Sequence, residues 1–95
     1  NIIYNELLYM GYTVDYLSST DYEIDFRCKK GSKVYLVQVA YSIAGESTYQ
    51  REMKGFNKLD NSAKKIIISN DLVDFSTSTV KHISLKDFLL MDNLD

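Results

Sequence analysis

YEIDFRCKKGSKVYLVQVAY, residues 22–41, decides the fold. Tyr22, Ile24, Phe26 and Cys28 alternate with Glu23, Asp25 and Arg27. A two-residue period puts successive side chains on opposite faces, so this is a strand with one apolar and one charged side. Lys29-Lys30-Gly31-Ser32 has turn composition, and residues 33–41 are rich in Val, Leu and Tyr. The stretch is therefore a β-hairpin. With Lys30-Gly31 as a two-residue loop, residue 29 faces 32, Asp25 faces Leu36 and Glu23 faces Gln38. That register gathers Glu23, Asp25 and Gln38 on one face of the sheet.

Upstream, Ile2, Ile3, Leu7 and Met10 recur at helical spacing, and Gly11 is a helix stop. Tyr12, Val14 and Tyr16 form another strand, followed by a turn at Ser18-Ser19-Thr20-Asp21. Downstream, Ser47 and Gln50 have capping-box spacing, opening a second helix with Tyr49, Met53 and Phe56 as its stripe. Residues 65–69 have a continuous aliphatic centre, as a strand covered on both faces does, and residues 80–84 make a shorter strand. Ser84 with Asp87 opens a last helix over residues 85–91. The order α-β-β-β-α-β-β-α predicts an α/β fold, a three-layer sandwich with a mixed sheet flanked by helices.

The chain has 95 residues, 45% hydrophobic and 25% charged, which suits a single globular domain and excludes a disordered one. No stretch approaches the roughly 18 apolar residues of a membrane span. Single Cys28 excludes an internal disulfide and a cysteine-based zinc site, and points to a reducing, cytoplasmic setting. Helical periodicity starts at Ile2 with no cap and with Asn1 in place of Met, so a piece cut from a longer protein is expected. Eight Tyr and four Phe accompany no Trp and no Pro, and the tyrosines fall mostly on core positions. Net charge is −2, but residues 1–26 carry −5, residues 27–65 carry +6 and residues 66–95 carry −3. The basic middle is either solvated surface or a patch that faces phosphate, with Lys29, Lys30, Lys33, Arg51, Lys54 and Lys58 as its candidates.

Hard divalent ions such as Mg²⁺ take oxygen ligands, and Asp25, Gln38 and the Val39 carbonyl offer them on neighbouring strands, with Glu6 as a further ligand from the first helix. His82 has no second ligand at metal spacing and is expected on a surface or strand face. No G-x-x-x-x-G-K-[ST] loop occurs, so ATP binding is not expected of these residues.

Tyr4-Asn5-Glu6-Leu7 with Gly11-Tyr12, Tyr22-Glu23-Ile24-Asp25-Phe26, Val37-Gln38-Val39-Ala40-Tyr41, Thr48 with Arg51-Glu52, Lys64 to Asp71 and the terminal Asp87-Phe88-Leu89-Leu90 carry a resemblance. Together they resemble the domain of unknown function at the C-terminal end of prokaryotic AAA-type ATPases, itself similar to the PD-(D/E)xK restriction-endonuclease-like fold. The resemblance implies an αβββαβ core spanning residues 1–95, with an ATP-binding domain upstream in the same chain. It also implies a nuclease motif of Asp on the second strand, then Glu or Gln, any residue, and Lys on the third. Asp25 and Gln38 match, and the Lys position is Ala40. That Lys orients water or stabilises developing charge, which a methyl group cannot do. The expected function is therefore a catalytically degenerate accessory domain that binds DNA or a protein partner. The alternatives are a Mg²⁺-dependent nuclease holding its ion with Asp25, Gln38 and Glu6, and a purely structural module.

Overall fold

The structure, a computed structural model, describes residues 2–19, 23–40 and 63–94. Helix α1 (Ile2–Tyr9) buries Ile3 and Leu7. It ends in a Schellman motif: Tyr12 N–H donates to the Leu7 carbonyl (3.1 Å) and Gly11 N–H to the Leu8 carbonyl (3.0 Å). Gly11 sits there at φ +96°, a conformation that side chains with a Cβ rarely adopt. Lys30 Nζ donates to the Met10 carbonyl (2.9 Å) and lies 5.1 Å from the Tyr12 ring centre, so a cation completes the negative end of the helix.

Five strands follow: β1 (Thr13–Ser19), β2 (Glu23–Lys30), β3 (Lys33–Ala40), β4 (Lys64–Ser69) and β5 (Val80–Ser84), before helix α2 (Leu85–Phe88). They lie in the order β1-β2-β3-β4-β5. The first three pair antiparallel, while β3, β4 and β5 run parallel. Leu17 is the extra residue of a bulge, because Tyr16 pairs with Phe26 and Ser18 with Asp25.

The register of the hairpin differs from the expected one. Lys30 pairs with Lys33, Asp25 with Gln38 and Glu23 with Ala40, so the loop is Gly31-Ser32. Gly31 holds φ +62° while no described residue other than glycine has positive φ, the pattern of a II′ turn with Gly in its first central position. A slip of two residues leaves every side chain on its expected face.

The three-layer α/β sandwich with flanking helices is not what forms. The described residues make a five-stranded mixed sheet with two short helices, both packed on the same face. That face gathers Ile3, Leu7, Tyr12, Phe26, Tyr35, Val37, Ile66, Ile68, Ile83 and Phe88. Residues 85–91 do not continue as a helix. After Phe88 the turn tightens, with Leu90 N–H on the Asp87 carbonyl and Met91 N–H on the Phe88 carbonyl. The second expected helix, with Arg51, Lys54 and Lys58, lies outside the described residues. The opposite face holds a smaller apolar cluster of Leu36, Ala40, Ala63, Ile67 and Val80, with Phe75 against it. No helix among the described residues is long and apolar enough to cross a membrane.

Tyr12 and Tyr35 are core residues in edge-to-face contact at 5.7 Å, and Tyr12 Oη accepts from Leu94 N–H at 3.0 Å, which ties the last described residues to the start of the sheet. Cys28 is fully buried, and burial, reinforced by the Asp15 carboxylate, pushes its thiol up to about 12. A buried thiol held protonated is unreactive. Ellman's reagent is expected to leave Cys28 unmodified in the native chain and to react stoichiometrically in denaturant. Rapid native labelling would contradict this packing.

Candidate functional site

Asp25 and Gln38 sit directly opposite each other on β2 and β3, on the face turned away from α1. Opposed residues of an antiparallel pair have Cβ atoms about 5 Å apart, so both side chains belong to one polar site. Gln38 is 5% exposed and Asp25 is half-buried. Both engage neighbours within the fold, and one oxygen of each, Asp25 Oδ1 and Gln38 Oε1, is a buried atom that accepts no hydrogen bond.

The third expected side-chain ligand, Glu6, is not brought to it. Glu6 belongs to α1, which packs Ile3 and Leu7 on the opposite side of the sheet. Ala40 is 5% exposed and lies in the apolar cluster of Leu36, Ala63, Ile67 and Val80. Two positions from Gln38 on the same strand face, a methyl group fills the place where a cation would stand beside developing phosphate charge. Mg²⁺ demands near-octahedral oxygen coordination, usually with one or two carboxylates. Among the described residues no three His, Cys, Asp or Glu side chains are grouped to hold a metal ion. Asp25 with a neutral amide therefore makes a poor Mg²⁺ site.

A second polar cluster went unread in the sequence. Of the two places expected for His82, a surface or a strand face, the structure shows the second: it lies on β5 and is 7% exposed. The parallel pairing of β4 and β5 sets Ser69 opposite Ser84 and so beside His82. Ser69 Oγ lies 2.8 Å from His82 Nε2 and donates to Asp71 Oδ2 at 2.8 Å, while Phe75 N–H donates to His82 Nδ1 at 3.1 Å. Because Nδ1 accepts that amide, the ring proton is assigned to Nε2, which donates to Ser69 Oγ. A Ser-His-Asp hydrolase needs the reverse: Nε2 accepts from the serine and Nδ1–H faces the carboxylate. This triad of residues is a buried lock on the chain after β4, and Ser69 is no nucleophile.

Burial lowers the affinity of His82 for a proton, against the pull of the Asp71 and Asp74 carboxylates and a contact with the Val73 backbone. Asp74 is itself held below the usual carboxylate range, first by hydrogen bonds from Ser76 and then by the charges of His82 and Lys81. An acidic crevice of about 90 Å³ at the ends of β4 and β5 is lined by Asp71, Asp74, His82, Ser84 and Asp87. Ser84 Oγ also accepts from Asp87 N–H (3.2 Å) and caps α2, as the sequence spacing predicts.

Lysines collect at the other end of the sheet. β2 finishes and β3 begins at the Gly31-Ser32 turn, and β4 and β5, being parallel to β3, also begin there. Lys29, Lys30, Lys33, Lys64, Lys65 and Lys81 thus share one end of the sheet, six of the chain's eleven Lys and Arg. Three of these, Lys29, Lys30 and Lys33, are legible from the hairpin alone. Lys64, Lys65 and Lys81 join them only through strand direction. Of the six, Lys30 is committed to the end of α1. From Lys33 to Gln38 the strand runs about 16 Å at roughly 3.3 Å per residue, so the basic end and the Asp25–Gln38 pair are separate sites.

No protein family matches the chain, and no solved structure matches it. The chain is similar to an uncharacterized protein of Haemophilus influenzae, 36% identical over 69 residues, a match that covers 73% of this chain and 16% of that relative. The chain thus spans a small part of the length of the relative it matches.

Proposed function

We propose that the chain is a non-catalytic, nuclease-like accessory domain of a larger ATP-driven protein, and that its task is to bind DNA. The observation that carries the reading is Ala40: beside Asp25 and Gln38, where hydrolysis of a phosphodiester needs a cation, the strand presents a methyl group packed into an apolar cluster. Three further facts support it. Asp25 and Gln38 are paired on the second and third strands, as the resemblance to the C-terminal domain of AAA-type ATPases requires. The lysines gather at one sheet end away from that pair, so a bound phosphate there is out of reach of the carboxylate. The similar Haemophilus influenzae protein is several times longer, so a segment of this kind occurs there within a longer chain. In this reading the parent works in the cytoplasm, and Cys28 remains a buried thiol.

Supercoiled plasmid incubated with the chain and Mg²⁺ or Mn²⁺ is expected to shift in a gel and to remain uncut. The nuclease alternative requires Arg51, Lys54 or Lys58 to stand in for the missing cation, and those three lie outside the described residues.

A further inference from the structure

We propose that the groove formed by the starts of β4 and β5 and the turn before β5 is the seat of the phosphodiester backbone. This rests on the DNA-binding reading above and adds where the DNA lies. The groove has a volume of about 300 Å³ and is lined by Lys64, Lys65 and Lys81 with Ser76, Thr77, Ser78, Thr79 and the edge of Val80. Lys65, on the face of Leu36 and Val80, and Lys64 and Lys81, on the face of Tyr35 and Ile66, flank the groove from both sides of the sheet end, and with a run of hydroxyls they are the donors that phosphate oxygens take. Lysine supplies point charge without demanding one geometry, and such contacts position a protein on DNA without reading its bases.

The groove is held in shape from both sides. Thr77 N–H donates to the Val80 carbonyl at 2.8 Å, and Thr77 Oγ1 accepts from Val80 N–H at 3.1 Å and Thr79 N–H at 3.3 Å. Lys64 Nζ stands 5.8 Å from the Tyr35 ring centre, which steadies a long side chain at the mouth. Residues 63–66 and 76–81 contain no Asp or Glu. Asp74 is the described carboxylate whose titration shows the field of Lys81. Its Oδ1 accepts from the N–H of Ser76, a lining residue, at 2.8 Å, so one carboxylate borders the three lysines, while Asp71 and Asp87 lie beyond four strand residues, about 13 Å, and charges are screened within ~8 Å at physiological salt. A net charge of −2 therefore does not oppose DNA at this end.

The lining also selects among polyanions. A protein hot spot needs aromatic or large apolar anchors, and a membrane-surface site needs an apolar face to insert. The groove offers neither, because Val80 is buried and the remaining lining residues are polar.

The test is fluorescence anisotropy of the full chain with a labelled 20-base-pair duplex between 50 and 200 mM salt. Three phosphate contacts give a slope of log affinity against log salt near −2.7, a loss of about 40-fold across that range. Lys65→Ala with Lys81→Ala is expected to flatten the slope by about 1.8, and adding Lys64→Ala to bring it near zero. Lys86→Ala, on α2, should leave both affinity and slope unchanged. Wild-type affinity and slope retained in the triple variant would overturn the groove while leaving DNA binding in place. A wild-type chain that does not bind at 50 mM salt would overturn both, and a duplex cut in Mg²⁺ would overturn the non-catalytic reading alone.

Discussion

Phe26→Ala is expected to cost about 3–5 kcal/mol, the range for deleting a buried aromatic ring. Phe26 is 1% exposed at the centre of β2, with the rings of Tyr4 at 6.0 Å and Tyr16 at 5.7 Å against it. It joins α1 to the middle of the sheet, so the space left by its ring cannot collapse without moving a strand. Domains of this size are stable by roughly 5–15 kcal/mol, so the variant should be near the edge of unfolding. A urea titration followed by circular dichroism measures it. The neighbouring Arg27 is exposed and points to the other face, so Arg27→Ala should fall within about 0.5 kcal/mol of wild type. Equal effects at 26 and 27 would contradict the register of β2.

His82→Leu is expected to lose about 2–3 kcal/mol, because it leaves Phe75 N–H without its acceptor and Ser69 without its donor in a buried place. The same residue sets a pH dependence. His82 is neutral in the fold, and burial is the main cause of its lowered pKa. In the unfolded chain it takes a proton near the ordinary value of about 6.5. Between that value and the lower native one the unfolded state binds more protons, so stability is full above about pH 6.5 and falls as the pH drops below it. The urea midpoint should therefore fall between pH 7 and pH 5.5 in the wild type, and fall less in His82→Leu. A wild-type midpoint that rises on acidification would mean that the Asp71 and Asp74 charges outweigh burial.

Hairpin strands were legible because Tyr22 to Cys28 alternate strictly, and β4 because three consecutive isoleucines suit a strand covered on both sides. The loop position is not legible, because Lys30-Gly31 and Gly31-Ser32 both contain Gly31 and an even slip leaves the hydrophobic pattern unchanged. The end of β1 is hidden because Ser18 and Ser19 have turn composition, whereas a bulge at Leu17 carries them on as strand. The layer count has a different cause: both described helices pack on one face of the sheet, and neither capping nor periodicity says which face a helix covers. Capping at Ser84 was visible, but a cap does not set a helix's length, and α2 stops after four residues.

The site was half visible. Asp25, Gln38 and Ala40 follow from alternation and resemblance, and their pairing follows from the hairpin. The His82 lock needs Ser69 thirteen residues away on a parallel neighbour, and no local pattern reports that. Strand direction likewise brings Lys64, Lys65 and Lys81 to the end that already holds Lys33. In the sequence they were only part of a charge run.

Cleavage of DNA tests the central claim most directly. Supercoiled plasmid, the full chain and Mg²⁺ or Mn²⁺ are incubated together, with Asp25→Asn in parallel, and nicked and linear products are counted over hours. Wild type and Asp25→Asn are predicted to leave the plasmid equally intact. Nicking by the wild type that disappears in Asp25→Asn would show that the Asp25–Gln38 pair still works as a nuclease site.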